Sequence, residues 1–304
     1  MSGIVFLGTP DAAIPTLDII HASGDLALVV TMPDRPRGRS RTPQPPPVKV
    51  RAVELGVPVS QPESRGELDE AIREAGDVDL GVVVAYGRII SETAFGSPDR
   101  GMVNVHFSLL PRWRGAAPVE RAILAGDTVT GVSLMEISAG LDAGSVFDQW
   151  VTGIGESETA GELTSRLARA GAELLDSRLG ELRAGAIASH PQPETGTTYA
   201  SRIEADEARL DLTLHNDALL AAIRAFNPRP GAFADLGGDR FKVWRAAADA
   251  AVLEPGELRV VGEQLLVGTG SGALVLIEVQ AAGAKRMPGL VWARGRQGDP
   301  GRLS

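Results

Sequence analysis

The sequence contains no cysteine among its 304 residues. Disulfide bonds, thiolate nucleophiles and cysteine metal sites are therefore excluded. It also lacks any apolar run near the roughly 18 residues that would suggest a membrane span, and its start, MSGIVFLGTP, lacks the positively charged region of a signal peptide. We therefore expect a cytoplasmic protein that does not associate with a membrane. The sequence does not determine the oligomeric state, and we expect a monomer.

Two further patterns are missing. The first predicted strand ends at Gly8, but Pro10 stands where the second glycine of a G-x-G-x-x-G dinucleotide fingerprint would be. His106 has no partner histidine at the spacing of a metal-ligand pair. The sequence therefore predicts neither a nicotinamide cofactor nor a metal ion.

Charge is unevenly distributed along the chain. The net charge is −9, which argues against a generic nucleic-acid binder. Residues 33–51 nevertheless combine six cations with one aspartate, which gives +5. This stretch is predicted to be a long surface loop followed by a helix, and it permits two interpretations: a solvated, flexible basic loop, or a surface that contacts a phosphate backbone. Its charged residues are Arg35, Arg37, Arg39, Arg41, Lys49 and Arg51, with Asp34.

Strand-like and helix-like segments alternate up to about residue 185, which predicts an α/β domain with a mostly parallel sheet. Residues 189–206 contain two prolines and no apolar period, and we interpret them as a linker. Short strand-like runs separated by turns then predict a smaller β-rich domain, plausibly a barrel. The expected boundaries are 1–188, 189–206 and 207–304.

The candidate active site centres on Gly101 to Pro118, which reads GMVNVHFSLLPRWRGAAP. In a strand over 102–105, alternation places Asn104 and His106 on one side, next to the strand's carboxyl end, where open α/β sheets bind ligands. Asp142 lies between Gly140 and Gly144 after another predicted strand.

An Asn, His and Asp set without cysteine suits group transfer through a tetrahedral intermediate. Asn104 can donate to a developing oxyanion, His106 can move a proton, and Asp142 can orient the imidazole or order a water. Ser108 lacks the G-x-S-x-G surroundings of a nucleophile. Plainer interpretations stay open: a surface histidine, a turn-capping asparagine and a turn aspartate.

These residues carry a family resemblance. The pattern of Asn104-Val105-His106, Ser108 to Pro111, Arg114-Gly115 and Gly140 to Gly144 resembles the 10-formyltetrahydrofolate-dependent formyltransferases. Further segments resemble the tRNA-formylating branch of that family: Gly8 to Asp11, Pro33 to Pro36, Pro47 to Val50, Val84 to Gly87, RWRGAAP at 112–118 and Ile223 to Pro228. The similarity covers nearly the whole chain.

The resemblance implies a Rossmann-like catalytic domain and a C-terminal OB-like β-barrel that binds tRNA. It implies transfer of the formyl group of 10-formyltetrahydrofolate to the α-amino group of methionine on the initiator tRNA, for translation initiation, with no metal. It assigns catalysis to Asn104, His106 and Asp142. It also implies a folate site formed by Ser108, Leu109, Leu110, Pro111, Val84, Ala85 and Tyr86, and a tRNA contact formed by Arg35, Arg37, Arg39, Arg41 and Lys49.

Two departures from the family pattern stand near the predicted site. Phe107 replaces a glycine, so its ring must point away from the folate or narrow the pocket, and Ala12 replaces an aromatic residue. Arg112 and Arg114 fit phosphate contacts and structural ion pairs equally well. The rival functions are another folate formyl enzyme, either a formyl hydrolase or a sugar-amine formyltransferase, and an RNA-binding protein without catalysis.

Overall fold

The structure is a computed structural model that describes residues 3–36, 42–296 and 300–304. The chain forms two compact units. The first comprises residues 1–118, 129–153 and 164–201, and the second comprises residues 119–128, 154–163 and 202–304. The domain boundaries expected from the sequence stay a prediction.

The first unit is built on a seven-stranded mixed sheet. Its spatial order is β10-β9-β7-β6-β1-β2-β5. The pairs from β7 through β6, β1 and β2 to β5 are parallel, whereas β9 and β10 are antiparallel to their neighbours. The predicted α/β class with a mostly parallel sheet is thus confirmed. The strands are β1 (Gly3–Gly8), β2 (Leu26–Val30), β5 (Val59–Ser60), β6 (Val78–Val84), β7 (Met102–His106), β9 (Val129–Glu136) and β10 (Val146–Gly153).

The strand β6 shows why this sheet forms. Its sequence VDLGVVV is apolar on both faces, as in strands covered by helices on both sides, and all but Asp79 are buried. Gly81 is required here because a Cβ at that position would lie 2.4 Å from Cγ of Met102 on β7.

The helices are α1 (Ile14–Ala22), α2 (Pro47–Glu54), α3 (Arg65–Glu74), α4 (Glu92–Phe95), α5 (Pro118–Leu124) and α6 (Ala160–Ala184), of which α5 and part of α6 belong to the second unit.

Two short strand pairs lie in segments that the sequence predicted to be irregular. In the predicted long loop 33–47, β3 (Arg35–Pro36) pairs antiparallel with β4 (Pro43–Gln44). In the predicted linker, β11 (Tyr199–Ala200) pairs with β8 (Arg114–Gly115). Two-residue strands carry no hydrophobic period, so the sequence contained no signal for them.

The second unit is built on an antiparallel sheet in the order β12-β13-β16-β15-β14, with β17 beside β16. The last residues connect the two edges of this sheet. The amide of Leu303 donates to the carbonyl of Gly256 just before β14, and the amide of Ser304 donates to that of Asp235 in β12. The antiparallel sheet confirms the predicted C-terminal β domain. Its elements are α7 (Asn216–Ala225), β12 (Phe233–Leu236), β13 (Asp239–Asp249), β14 (Leu258–Val261), β15 (Gln264–Thr269), β16 (Gly272–Gln280), β17 (Met287–Pro288) and α8 (Gly289–Arg294).

Candidate active site

Two of the three predicted catalytic residues end strand β7. His106 is 6% exposed and Asn104 is partly buried, and both side chains lie on the same side of the strand. Because β7 is parallel to β6, its carboxyl end lies beside that of β6. The sequence-based placement of Asn104 and His106 is therefore the placement that the structure has.

The imidazole of His106 is oriented by a main-chain carbonyl. Its Nε2 lies 2.9 Å from the carbonyl oxygen of Trp113. A carbonyl oxygen only accepts hydrogen bonds, so Nε2 carries the hydrogen in this contact. Trp113 adopts a φ of +64°, which is unusual for a residue with a side chain, and the guanidinium of Arg112 lies 4.5 Å from the centre of its ring. Because Nε2 carries the hydrogen in the contact with Trp113, Nδ1 is the ring nitrogen of His106 without that hydrogen.

Asp142 reaches the same histidine by a return loop. The strand β9 runs antiparallel to β7, with Val103 opposite Glu136, so the carboxyl end of β9 lies beside the amino end of β7. The loop after β9 brings Oδ2 of Asp142 to 3.7 Å from Nδ1 of His106. This distance is too long for a hydrogen bond but allows an ion pair once the ring is protonated.

The carboxylate of Asp142 is fixed by the main chain of β8. The amide of Gly115 donates to Oδ2 over 2.7 Å. Gly115 has a φ of +121°, and a Cβ there would lie 2.7 Å from the carbonyl oxygen of Ala200 in β11. A glycine is therefore needed for the amide to reach Asp142 while β8 pairs with β11.

The predicted folate turn, Ser108 to Pro111, follows His106 directly. Ser108 is fully buried, and its hydroxyl donates to the carbonyl of Arg112 over 2.6 Å. The hydroxyl of Ser133 donates to the carbonyl of Ser108 and accepts from the amide of Leu110. Ser108 and Ser133 thus fix the shape of the turn, and the Ser108 hydroxyl is engaged within the protein.

The other predicted folate segment, Val84 to Tyr86, lies at the carboxyl end of β6, next to β7. Ala85 is exposed and has a φ of +48°. The carbonyl of Tyr86 accepts a hydrogen bond from the hydroxyl of Thr9 over 2.7 Å. The Tyr86 side chain is buried in the core, and burial raises the pKa of its phenol. The Tyr86 hydroxyl therefore lies in the core, and Ala85 is the exposed residue of this segment.

The predicted tRNA contacts are only partly described. Arg37, Arg39 and Arg41 lie outside the described residues. Arg35 is exposed on β3. Lys49 forms an ion pair with Asp34, with Nζ 2.8 Å from Oδ1, and Gln61 donates a further hydrogen bond to the same carboxylate. Both contacts lower the pKa of Asp34.

The structure adds three groups that sequence reasoning missed: the carbonyl of Trp113, the amide of Gly115 and the side chain of Gln192. Gln192 donates to the carbonyls of Asp142 and Gly144 over 2.8 and 2.7 Å. The first two are main-chain groups, which residue type does not reveal. Gln192 lies 50 positions from Asp142 in the predicted linker, and its flanking prolines were its only sequence signal.

Phe107, the bulkier of the two departures, is 8% exposed and belongs to the core. Its ring therefore points away from solvent. Arg114 donates two hydrogen bonds to Oε1 of Gln192, a role that neither sequence interpretation included.

Within 3–36, 42–296 and 300–304, no three His, Cys, Asp or Glu side chains are grouped as a metal site. Among the helices of that part of the chain, none has both the length and the apolar character needed to cross a membrane.

Comparison with known proteins identifies the family. Residues 4–179 match the formyl transferase family, and residues 202–297 match its C-terminal domain. The methionyl-tRNA formyltransferase of Halorhodospira halophila is 46% identical over 303 residues, covering 98% of this chain and 97% of its own length. The corresponding protein of Clavibacter michiganensis is 45% identical over 295 residues, 96% of both chains.

A solved structure shares the fold. An N-formyltransferase from Helicobacter canadensis, in complex with folinic acid and dTDP-3-aminofucose, superposes with a TM-score of 0.68 at 19% identity. The match covers 94% of this chain and 100% of that one.

Proposed function

Because this chain belongs to the formyl transferase family, in its methionyl-tRNA formyltransferase branch, we propose that Asn104, His106 and Asp142 carry out formyl transfer to methionyl-tRNA. The enzyme moves a formyl group from formyl-tetrahydrofolate to the amino group of the esterified methionine. The observation that carries this function is the identity of 45–46% with methionyl-tRNA formyltransferases over 96–98% of the chain.

The reaction requires one proton to move between two nitrogens. The α-amine attacks the formyl carbon, the C–N bond to the folate breaks, the amine loses one proton, and the released folate nitrogen gains one. No metal or thiol is needed. The protein has to hold the two reactants together, stabilise the oxyanion and transfer the proton.

His106 is suited to the proton transfer. Since its Nε2 hydrogen is engaged with Trp113, Nδ1 is the nitrogen that takes up the proton of the attacking amine and returns it to the leaving nitrogen. Protonation turns the 3.7 Å contact with Asp142 into an ion pair, which stabilises the charged ring during the transfer.

Asn104 is the proposed oxyanion donor. Its amide can donate a hydrogen bond without changing charge. It lies two residues before His106 on β7, on the same side of the strand. The formyl carbon would then lie between the two side chains, with its oxygen directed toward Asn104.

The formyl donor, 10-formyltetrahydrofolate, is proposed to bind beside β6 and β7. The exposed left-handed turn at Ala85 offers main-chain groups to the edge of a planar heterocycle, and the partly exposed Leu109 and Pro111 offer apolar surface. Leu110 is buried and would support the turn from within the core. These two segments fit a ligand with a flat polar ring, and Ser108 contributes by holding the turn.

The acceptor is proposed to be the initiator methionyl-tRNA. Arg35, Arg37, Arg39, Arg41 and Lys49 would contact its phosphates, because arginines spaced along an extended segment suit a curved polyanion. We further propose a cytoplasmic monomer with a catalytic domain over 1–188, a linker over 189–206 and a tRNA-binding domain over 207–304.

The deciding experiment incubates the protein with 10-formyltetrahydrofolate and methionyl initiator tRNA and measures formylmethionyl-tRNA. We expect turnover. Formyl release without transfer would indicate a hydrolase, transfer to an amino sugar alone would indicate a sugar formyltransferase, and tRNA binding without turnover would indicate a binding protein.

A further inference from the structure

Residues 190–200, named the strap here, contact both loops that hold the catalytic side chains. At one end, His190 and Val146 exchange two main-chain hydrogen bonds of 2.8 Å, just after the Asp142 loop. At the other end, the hydroxyl of Thr198 accepts from the amide of Trp113, whose carbonyl binds His106. A segment predicted to be a linker is therefore part of the scaffold around the site.

Gln192 is the strap residue that reaches Asp142. Its amide nitrogen donates to the carbonyls of Asp142 and Gly144, and its amide oxygen accepts two hydrogen bonds from Arg114 at 3.0 and 2.7 Å. Because both acceptors are carbonyls and both donors are guanidinium nitrogens, only one orientation of the amide satisfies all four contacts.

The Asp142 loop needs such a clamp. Asp142 has a φ of +44°, a left-handed conformation that is unfavourable for a residue with a side chain. Its neighbours Leu141 and Ala143 are exposed, Leu141 by 61%, so apolar packing does not fix the loop at these positions. Polar contacts from Gln192 and Gly115 fix the main chain and the carboxylate of Asp142 instead.

The sequence around Gln192 favours a rigid clamp. Pro191 and Pro193 flank it. Proline fixes its own φ and drives the preceding residue toward extended conformations, so the strap loses little entropy when Gln192 is positioned.

We propose that Gln192, oriented by Arg114, is a positioning residue for Asp142 in formyl transfer. This inference rests on the proposed function. Gln192 acts by holding the Asp142 loop, which sets the distance of 3.7 Å between Oδ2 of Asp142 and Nδ1 of His106. Displacing a catalytic group by about 1 Å can cost on the order of 100-fold in rate.

The test is a double-mutant cycle between Gln192→Met and Asp142→Asn, with kcat and KM for formylation measured for each protein. We expect Gln192→Met to lower kcat by roughly 10- to 100-fold with KM changed less than about threefold. In the Asp142→Asn background, the same change should lower kcat by less than about threefold, because the group it positions is already lost.

Gln192→Glu keeps the size and the Arg114 contact but cannot donate to the two carbonyls, so it should lose kcat as Gln192→Met does. If Gln192→Met lowers the thermal midpoint so far that the protein is unfolded in the assay, the kcat of Gln192→Glu decides the outcome. Thr197→Val is the matched control, since it removes a hydrogen bond to Glu194 within the strap and leaves the Asp142 loop untouched.

Equal losses in both backgrounds, unchanged kcat in folded Gln192→Glu, or an effect confined to KM would overturn the inference. These results are distinct from failure of the proposed function, in which the unsubstituted protein itself would not formylate methionyl-tRNA.

Discussion

The candidate active site and the cationic stretch 33–51 hold their described polar side chains in different ways. His106 and Asp142 are 6% and 17% exposed, and each is oriented by a main-chain group. In the cationic stretch Arg35 is exposed, whereas Lys49 pairs with Asp34, and Arg51 pairs with Asp18 and Glu54. The candidate site thus holds its polar groups in fixed orientations. Among the described cations of the stretch, Lys49 and Arg51 already have acidic partners, so the formal sum of +5 overstates the charge they leave for a ligand.

The largest expected effect is at His106. His106→Ala should lower kcat by about 10³-fold or more, because it removes the proposed proton carrier. The protein should stay folded, with a thermal midpoint lowered by the loss of the hydrogen bond to Trp113. His215→Ala, at an exposed histidine that makes no capping bond to its helix, is the control and should leave kcat unchanged. Near-normal turnover of His106→Ala would remove this residue from the mechanism.

Next in size is Asp142→Asn, which preserves shape and an oxygen for the Gly115 amide. Loss of the charge that stabilises the protonated ring should reduce kcat by roughly 100-fold with little change in KM for methionyl-tRNA. Steady-state kinetics with each substrate varied in turn would measure this. A rise in KM alone would instead assign Asp142 to substrate binding.

In the cationic stretch the expected effect is on binding rather than on chemistry. Arg35→Glu should raise KM for methionyl-tRNA several-fold and leave kcat nearly intact. Losing one phosphate contact should also make the log–log salt dependence of affinity shallower by about 0.7 to 0.9. Arg65→Glu, the same charge change at an exposed position of α3, is the control. An identical salt slope for Arg35→Glu and the unsubstituted protein would leave the stretch without a role in tRNA binding.

The smallest effect concerns Asp34. Because Lys49 and Gln61 hold its pKa below the usual 3.8, the pair contributes stability above that value and loses it as pH falls through the lower folded-state pKa. Asp34→Asn should therefore lower the thermal midpoint slightly at pH 7 and leave it unchanged in strong acid. If Lys49 also contacts phosphate, freeing it from Asp34 should tighten tRNA binding. Weaker tRNA binding would assign the ion pair to shaping the loop.

Elements with a clear hydrophobic period were predicted well. The strand expected over 102–105 extends to His106, and the strand-like and helix-like segments expected up to about residue 185 end with the helix Ala160–Ala184. The strand β13 runs from Asp239 to Asp249 and is longer than the short runs that the sequence predicts, because pairing with β16 extends it into a stretch of alanines with no clear pattern. Tertiary pairing overrides weak local preference at such ends.

The structure brings Asn104, His106 and Asp142 together, but the sequence did not predict the contacts that orient them. The sequence placed Asp142 after a predicted strand but did not indicate how it approaches His106. Since β9 is antiparallel to β7, the aspartate returns along a loop. The same loop is clamped by Gln192, which was interpreted only as part of a linker.

By itself, the sequence determined the class of fold, the identity of the polar residues beside β7 and the family to which the chain belongs. These follow from residue types, short spacings and periodicity, all of which are local. The tertiary structure alone decided which nitrogen of His106 is engaged, how Asp142 reaches the ring and that the strap binds both catalytic loops. The reason is physical: these features depend on main-chain donors and acceptors, which every residue type shares, and on contacts between positions 27 and 50 residues apart.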